Sequence, residues 1–448
     1  MRKVFTSKVN PDSEKVVIVG IDFGTSFTKV CINQERGNKY FLKFNVDDEQ
    51  SYFIPTELYY DSNSNKVFFN KSPDKEILKY FKYSMIHSDL VTSELLTKNN
   101  PAMKPKAEFL CSIYYLASLI KEIKRQIENA LKATEIKYHF NMGCPIDNWK
   151  DENKKVYDTV LNLGCKLSEE EFEDGITMES LCQFYYENKD VTFTNLQTVP
   201  ELYAEALWFI EHPSTGEGIY TILDIGGGTV DFASIFVSRM SDGEKQTTIY
   251  SQGVMPLGIE VLLQFMYPQD YKTNRDKCIE ELKKTSVNMP FGWEEKHNAD
   301  RKLKKAHEFD VEFAKRIAEV KERNRKLMDG QFKKKNCSLP YYTFGGGTDF
   351  EWYHSIIDSH NFAFSKANIP PLRRQSFILN DILHNRLIIA EQLTRSSFPE
   401  IKEFPWKFPR ECIFGGIERD KGDMLVPKKA PVDNRFALED RQKEIYGD

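Results

Sequence analysis

The sequence lacks the marks of several large protein classes. Its longest apolar stretch, FLCSIYYLASLI at 109–120, is too short to span a bilayer and is followed directly by the charged residues KEIKRQ. The N-terminal stretch MRKVFTSKVNPDSEK has no apolar segment, so it is not a secretory signal. No GxxxxGKS or GxxxxGKT motif occurs, which excludes a P-loop nucleotide site. We therefore expect a cytoplasmic protein that does not enter a membrane.

Metal-ligand patterns and strong charge of one sign are also missing. The 8 cysteines form no CxxC pair and the 8 histidines no HExxH cluster, which argues against a zinc site or a disulfide framework. A net charge of −5 over 448 residues gives no sign of a nucleic-acid binder. Acids interspersed through the basic run at 301–335 predict a solvated helix rather than a nucleic-acid site.

An internal duplication is the most informative feature that is present. IVGIDFGTSFTKVCI (18–32) and TILDIGGGTVDFASI (221–235) share an apolar strand, an Asp, a glycine-rich bend and a second apolar strand. A third glycine-rich stretch, YYTFGGGTDFEWYHSII, follows at 341–357. We expect two similar α/β lobes whose bends lie across a common cleft. The predicted division is a polar arm (1–14), lobe I (15–212), lobe II with a closing helix (213–395) and a tail (396–448).

The glycine bends have a chemical use beyond turning the chain. Consecutive backbone N–H groups in a glycine turn form a concave nest of donors that suits phosphate oxygens. An Asp before each bend can hold magnesium through water, and the ion then bridges the phosphates. Ordinary hairpins are the alternative for either motif alone, but the shared register and the third triple glycine argue against it. The sequence therefore predicts a phosphate clamp with a metal ion.

These motifs also resemble those of a known superfamily. GIDFGTSFTK and LDIGGGTVDFASI resemble the two phosphate motifs of the actin, sugar-kinase and heat-shock ATPase superfamily, and YTFGGGTDFEWYHSI resembles its adenosine motif. The resemblance is closest to the nucleotide-binding domain of the seventy-kilodalton heat-shock chaperones (DnaK-like), over residues 16–395. It implies an α/β fold, a two-lobed actin-like ATPase with duplicated ribonuclease H-like lobes around a nucleotide cleft. It also implies binding of ATP or ADP with Mg²⁺.

The resemblance assigns roles to residues of all three motifs. It implies that Asp22 and Asp224 hold water-bound magnesium and that Asp231 polarises the attacking water, with Thr229 a further catalytic candidate. The β- and γ-phosphates would be contacted by Gly24, Thr25, Ser26, Gly226, Gly227, Gly228 and Thr229. The ribose and α-phosphate would lie over Gly345, Gly346 and Gly347.

A charged helix is similar to the chaperone helix that lies across the adenine ring. The segment is KCIEELKKTSVN at 277–288. Its candidates for ring and ribose contacts are Glu280, Lys283, Lys284 and Ser286. Without the family, the same residues form an ordinary charged helix face.

Two positions depart from the heat-shock pattern. The family carries a catalytic lysine in the loop after the third strand, where NKSPDKE offers Lys71 or Lys75. We favour Lys75; a solvated surface lysine is the alternative. The family also has a glutamate before the proline that opens a central helix, and this chain has Val199 there. Glu201, just after Pro200, is the substitute we expect, with slow or absent ATP hydrolysis.

The function expected from these features is a nucleotide-dependent conformational switch that acts on an unidentified protein partner. The stretch after residue 395 is shorter than the ~100 residues of a peptide-binding β-sandwich, so client binding in the usual chaperone manner is not expected. EFPWKFPRECIFGGIERD (403–420) is either a docking strand for that partner or a strap packed on its own lobe. The alternatives are self-assembly, as an actin-like filament-forming ATPase of the plasmid-segregation type, or a small-molecule kinase. We find no sugar-recognition signature for the kinase.

Overall fold

The computed structural model describes residues 15–34, 38–88, 90–101, 103–132, 135–145, 152–172, 175–213, 215–239, 245–287, 301–327, 339–366, 372–375, 386–398 and 402–403. Backbone contacts divide the chain into two compact units. Unit 1 includes the described residues of 15–205 and 387–398, and unit 2 those of 206–386 and 402–403. The boundary falls within helix α6 (Glu201–Glu211). The predicted N-terminal arm and the docking strand beyond residue 403 lie outside the described residues.

Unit 1 contains a central sheet, a smaller sheet and a short hairpin. Its strands are β1 (Lys15–Phe23), β2 (Phe27–Gln34), β3 (Asn38–Phe41), β4 (Phe44–Val46), β5 (Glu49–Ser51), β6 (Ile54–Pro55), β7 (Glu57–Asp61), β8 (Lys66–Phe68), β9 (Glu76–Lys79), β10 (Ile136–Cys144), β11 (Ile176–Thr177) and β12 (Leu196–Pro200). Its helices are α1 (Phe81–Ser84), α2 (Glu94–Asn99), α3 (Ala107–Leu131), α4 (Lys154–Leu167), α5 (Met178–Asn188) and α12 (Ile388–Gln392).

The central sheet of unit 1 has the order β12-β10-β1-β2-β3, and β6 also pairs with β2. β10 runs parallel to both β1 and β12, whereas β2 is antiparallel to β1 and to β3. The apolar run at 109–120 lies in α3, and all of its residues are buried in the unit 1 core. No helix in the described part of the chain is long and apolar enough to cross a bilayer.

Unit 2 is built on a second six-stranded sheet. Its strands are β13 (Gly218–Ile225), β14 (Val230–Arg239), β15 (Lys245–Met255), β16 (Leu339–Phe344), β17 (Leu372–Arg374) and β18 (Lys402–Glu403). Its helices are α7 (Ile259–Met266), α8 (Asp270–Thr273), α9 (Arg275–Lys284), α10 (Arg301–Leu327) and α11 (Glu351–Lys366). The strand order is β17-β16-β13-β14-β15-β18.

The two sheets repeat one plan. In each, three consecutive strands pair antiparallel, and two later strands add in parallel beside the first strand. The strands that flank the two glycine bends, β1–β2 and β13–β14, hold the same place in their sheets. This topology confirms the predicted fold class, a mixed α/β fold with two similar units.

The chain segment predicted to close lobe II belongs to unit 1. Residues 377–385 lie outside the described residues, and α12 clusters with unit 1. A Cβ on Gly20 of β1 would lie 2.3 Å from the carbonyl oxygen of Ala390, which shows how closely this segment packs on the sheet. Asn141 Nδ2 on β10 also donates to the carbonyl oxygen of Leu393 at 2.6 Å. These contacts bring the segment back to the first sheet.

Strand β12 ends with Pro200, where the resemblance had implied the start of the next helix. β12 is an edge strand, where a proline that cannot donate a ladder hydrogen bond is tolerated.

Candidate functional site

The glycine bend of unit 2 is held from behind by the start of α7. The N–H groups of residues 258, 259 and 260 donate to the carbonyl oxygens of Gly228, Gly226 and Gly227, at 3.0, 3.0 and 2.8 Å. A Cβ on Gly258 would lie 2.5 Å from the Gly227 carbonyl oxygen, so only glycine permits this approach. All three glycine carbonyls are therefore occupied.

The backbone N–H groups of the same bend differ from its carbonyl groups, because not all of them have a hydrogen-bond partner among the described residues. The Gly226 N–H closes the bend by donating to the carbonyl of Thr229 at 2.9 Å. Within the described residues, no protein acceptor receives the N–H groups of Gly227 and Gly228. Backbone donors without a protein acceptor need water or a ligand, and two consecutive ones at a glycine bend form an anion-binding nest. The bend thus matches the predicted phosphate role.

Two aspartates lie opposite each other beside this bend. Asp224 on β13 pairs directly with Asp231 on β14, and the two residues are 8% and 1% exposed. Directly opposed residues of an antiparallel pair share one face, with Cβ atoms about 4.5–5.5 Å apart. Buried carboxylates this close repel each other unless a cation or a proton compensates. The pair was predicted to serve the metal and the attacking water, and its position fits that chemistry.

The Asp224–Asp231 pair and the neighbouring bend of unit 2 suit a magnesium ion that keeps water and phosphate ligands. Within the described residues, no group of three or more His, Cys, Asp or Glu side chains is arranged to hold a metal. Mg²⁺ commonly takes one or two carboxylates and fills its remaining positions with water and substrate phosphates. The residues of the bend and the Asp224–Asp231 pair supply what that arrangement requires.

The equivalent hairpin of unit 1 has a lysine where unit 2 has its second aspartate. Asp22 on β1 pairs with Lys29 on β2, and their side chains form an ion pair of 2.7 Å with 3% and 16% exposure. Asp22 Oδ2, on the carboxylate predicted to hold magnesium, is thus already paired with a protein cation. A Cβ built on Gly24 would lie 3.7 Å from Lys29 Nζ, so the ammonium group lies beside the bend.

The bend of unit 1 spans the predicted phosphate contacts Gly24, Thr25 and Ser26. It is partly exposed, the Gly24 N–H donates to the carbonyl of Asp22 at 3.1 Å, and the Ser26 carbonyl accepts from the N–H of Thr56 at 3.0 Å. Lys29 was not among the predicted site residues, although its spacing from Asp22 could have indicated it. Lys29 follows Asp22 at the spacing that separates Asp231 from Asp224 in the second motif.

A second ion pair of unit 1 involves the expected glutamate. Glu201, at the start of α6, accepts from Lys82 Nζ of α1 at 2.9 Å, and the two side chains are 8% and 3% exposed. Burial raises the pKa of Glu201; the Lys82 charge acts in the opposite direction, and the Asp22 charge raises it further. Asp22, Lys29, Lys82 and Glu201 therefore form one electrostatic cluster next to the unit 1 bend.

The two lysines offered for the catalytic role contact residues of unit 1. Lys75 Nζ lies 2.9 Å from the ring centroid of Phe68, and Lys71 forms an exposed ion pair with Asp47. The catalytic role of Lys75 stays a prediction, and Lys82 was not among the predicted residues. Its partner Glu201 is the residue expected to replace the missing glutamate, and Val199 itself is fully buried.

The third glycine run packs against the second. Gly345 follows β16 with φ +80°, a conformation that favours glycine, and a Cβ there would lie 2.1 Å from Asp224 Oδ1. The Gly347 N–H donates to the carbonyl oxygen of Ile225 at 2.9 Å. A Cβ on Gly346 would meet nothing within 4 Å, so that position faces open space. Two of the three predicted motifs thus meet within unit 2.

The predicted adenine helix is α9, and its candidate residues lie on its accessible side. Glu280, Lys284 and Ser286 are exposed and Lys283 is partly exposed, whereas Cys278 and Leu282 are buried. Glu280 and Lys283 pair at 2.9 Å, and this hydrogen bond lowers the pKa of Glu280. The adenine role of this face stays a prediction.

Comparisons with known proteins add little beyond this geometry. No protein-family model matches the chain, and no curated protein matches it. It is similar to the crystal structure of MreB5 of Spiroplasma citri bound to ADP, with 13% identity, 85% of this chain and 95% of that chain covered, and a TM-score of 0.41. The same protein bound to AMPPNP gives 12% identity, the same coverage and a TM-score of 0.41. Similarity at this level carries no functional argument.

Proposed function

We propose that this chain binds ATP and ADP together with magnesium and acts as an actin-like ATPase. The observation that carries the proposal is the bend of unit 2. There, two consecutive glycine N–H groups without a protein acceptor lie beside two opposed, buried aspartates. A nest of donors suits phosphate oxygens, and a carboxylate pair suits a divalent cation. A magnesium-bound nucleoside polyphosphate satisfies both groups at once.

In the proposed site, different residues of unit 2 contact the phosphates, the metal and the nucleoside. Gly227 and Gly228 would donate to phosphate oxygens, and Asp224 would hold the magnesium ion through water. Magnesium supplies positive charge that neutralises the phosphates when it is bound. Asp231 would orient the attacking water. The ribose and α-phosphate lie over residues 345–347, and the accessible face of α9 meets the purine.

The residues of unit 1 supply positive charge for the same ligand. The ammonium group of Lys29 lies beside the bend at residues 24–26. Lys82 is held by Glu201, and it is a second candidate for the catalytic lysine beside Lys75. That both bends serve one nucleotide is part of the proposal, and it is supported by the duplicated motif and the shared sheet plan.

Isothermal titration calorimetry with magnesium–ATP tests the proposal. We expect one site per chain and a marked loss of affinity when magnesium is removed with a chelator. An Asp61→Asn variant is a matched control, because Asp61 ends β7 outside the glycine motifs, and its carboxylate accepts from the Asn63 N–H and the Ser64 hydroxyl of the following turn. That variant should bind as the parent does. Absence of binding at millimolar nucleotide would overturn the proposal.

How the ATP cycle is used has two candidate answers. We put nucleotide-dependent self-assembly, the actin-like alternative, first, and a heat-shock-like switch that acts on a separate protein partner second. Light scattering and pelleting with and without magnesium–ATP separate the two. Polymers that form only with nucleotide support self-assembly, and a chain that stays monomeric supports a switch acting on a separate partner.

A further inference from the structure

Glu260 is a buried acid in the first turn of α7, and residues of the two following helices bind its side chain. It is 2% exposed, and its Oε2 accepts from the Tyr271 hydroxyl of α8 at 2.6 Å and from Arg275 Nε at 3.2 Å. Its Oε1 accepts from Arg275 Nη2, so the guanidinium group makes a two-point contact with the carboxylate. Such forked contacts are strong and directional.

The backbone of the same residue is bound to the glycine bend. The Glu260 N–H donates to the carbonyl oxygen of Gly227 at 2.8 Å, which is the shortest of the three hydrogen bonds that support the bend. Arg275 is the first residue of α9, the helix predicted to meet the purine. One residue thus links the start of α9, through its side chain, to the phosphate bend, through its backbone.

We propose, building on the proposed function, that Glu260 is a positioning residue that holds the phosphate bend in its binding geometry, and that Arg275 and Tyr271 set its position. The guanidinium group fixes the carboxylate, the carboxylate fixes the first turn of α7, and that turn holds the Gly227 carbonyl. Donors that are held in place before the ligand arrives bind it more tightly, because less ordering is left to do.

The loss of Arg275 should act on the bend more than on α9 itself. Without the guanidinium group, a buried carboxylate has lost its cation, and the first turn of α7 has to move or the group has to gain a proton. The packing of α9 on unit 2 is carried by Cys278 and Leu282, which the change does not touch. Ligands that need the phosphate bend should therefore lose affinity, while the exchange of backbone amides around α9 changes little.

Hydrogen exchange of the nucleotide-free protein gives the first test. In Arg275→Met we expect the amides of residues 258–260 to exchange about ten-fold faster than in the parent, since they lose a fixed acceptor geometry. Tyr271→Phe, which removes one hydrogen bond and keeps the ring, should give a smaller acceleration in the same segment. Arg125→Met is the matched control, because Arg125 pairs with Glu122 on the exposed face of α3. It should leave residues 258–260 unchanged.

Calorimetry with magnesium–ATP gives the second test. Arg275→Met should weaken binding by about ten-fold and Arg275→Lys by less, because a lysine restores the charge but not the fork. Unchanged exchange at residues 258–260, or unchanged magnesium–ATP affinity in Arg275→Met, would overturn the inference. If Arg275→Met fails to fold, Tyr271→Phe and Arg275→Lys decide by the same criteria. Failure of the parent to bind nucleotide would instead overturn the proposed function, and the exchange result would stand apart from it.

Discussion

The buried Lys82–Glu201 pair makes a quantitative prediction about stability. Replacing Lys82 with Met removes the cation that pairs with Glu201, whose side chain is 8% exposed. Breaking a buried ion pair from one side typically costs about 3–5 kcal/mol, because the remaining charge is left uncompensated in the interior. We expect Lys82→Met to lower the free energy of unfolding by that amount at pH 7, measured by urea denaturation.

The stability loss caused by Lys82→Met should depend on pH, and the pKa of Glu201 fixes its direction. Burial raises the pKa of Glu201 in the folded chain, and removing Lys82 takes away the main contribution that lowers it. A carboxyl group whose folded pKa is raised favours the folded state below its unfolded pKa, about 4.3, and that stability is lost as the pH rises through the folded pKa. The free energy of unfolding that Lys82→Met loses relative to the parent should therefore be smaller at pH 4–5 and larger at pH 7.

Two variants complete this experiment. In Lys82→Met/Glu201→Leu both charges are gone, so most of the lost stability should return. Lys71→Met removes the exposed partner of Asp47 and should change the stability much less, because water screens exposed charges. Equal effects of Lys82→Met and Lys71→Met, or a deficit that does not change with pH, would refute the electrostatic account of this cluster.

Three further predictions concern the bends. Asp231→Asn should slow ATP turnover while nucleotide binding is largely kept, and Asp224→Asn should weaken the dependence of turnover on magnesium. Steady-state kinetics over a magnesium series checks both expectations. If both variants hydrolyse ATP as the parent does, the roles assigned to the two aspartates are wrong. Gly258→Ala should lose about 1–3 kcal/mol of stability together with magnesium–ATP affinity, because the new Cβ would lie 2.5 Å from the Gly227 carbonyl oxygen. Denaturation measures the stability and calorimetry the affinity. If neither changes, α7 does not hold the bend. Lys29→Met should weaken magnesium–ATP more than adenosine, since the ammonium group lies beside a phosphate bend, and equal losses for both ligands in calorimetry would contradict that role.

The parts of the fold that could be predicted are those written in local sequence. Each glycine bend is flanked by apolar strands in direct succession, so the hairpins and their duplication follow from neighbouring residues. The Lys82–Glu201 contact joins residues 119 apart in the chain, and the Asn141–Leu393 contact joins residues 252 apart. No local pattern encodes such pairings, which is why neither the Lys82–Glu201 pair nor the packing of α12 on the first sheet could be predicted from the sequence.

The most direct test of the central claim is a crystal structure of the protein with magnesium–ADP. The account predicts that phosphate oxygens lie within hydrogen-bonding distance of the Gly227 and Gly228 N–H groups, with magnesium next to Asp224 and Asp231. Nucleotide bound elsewhere on the chain, with those two N–H groups facing only water, would contradict it.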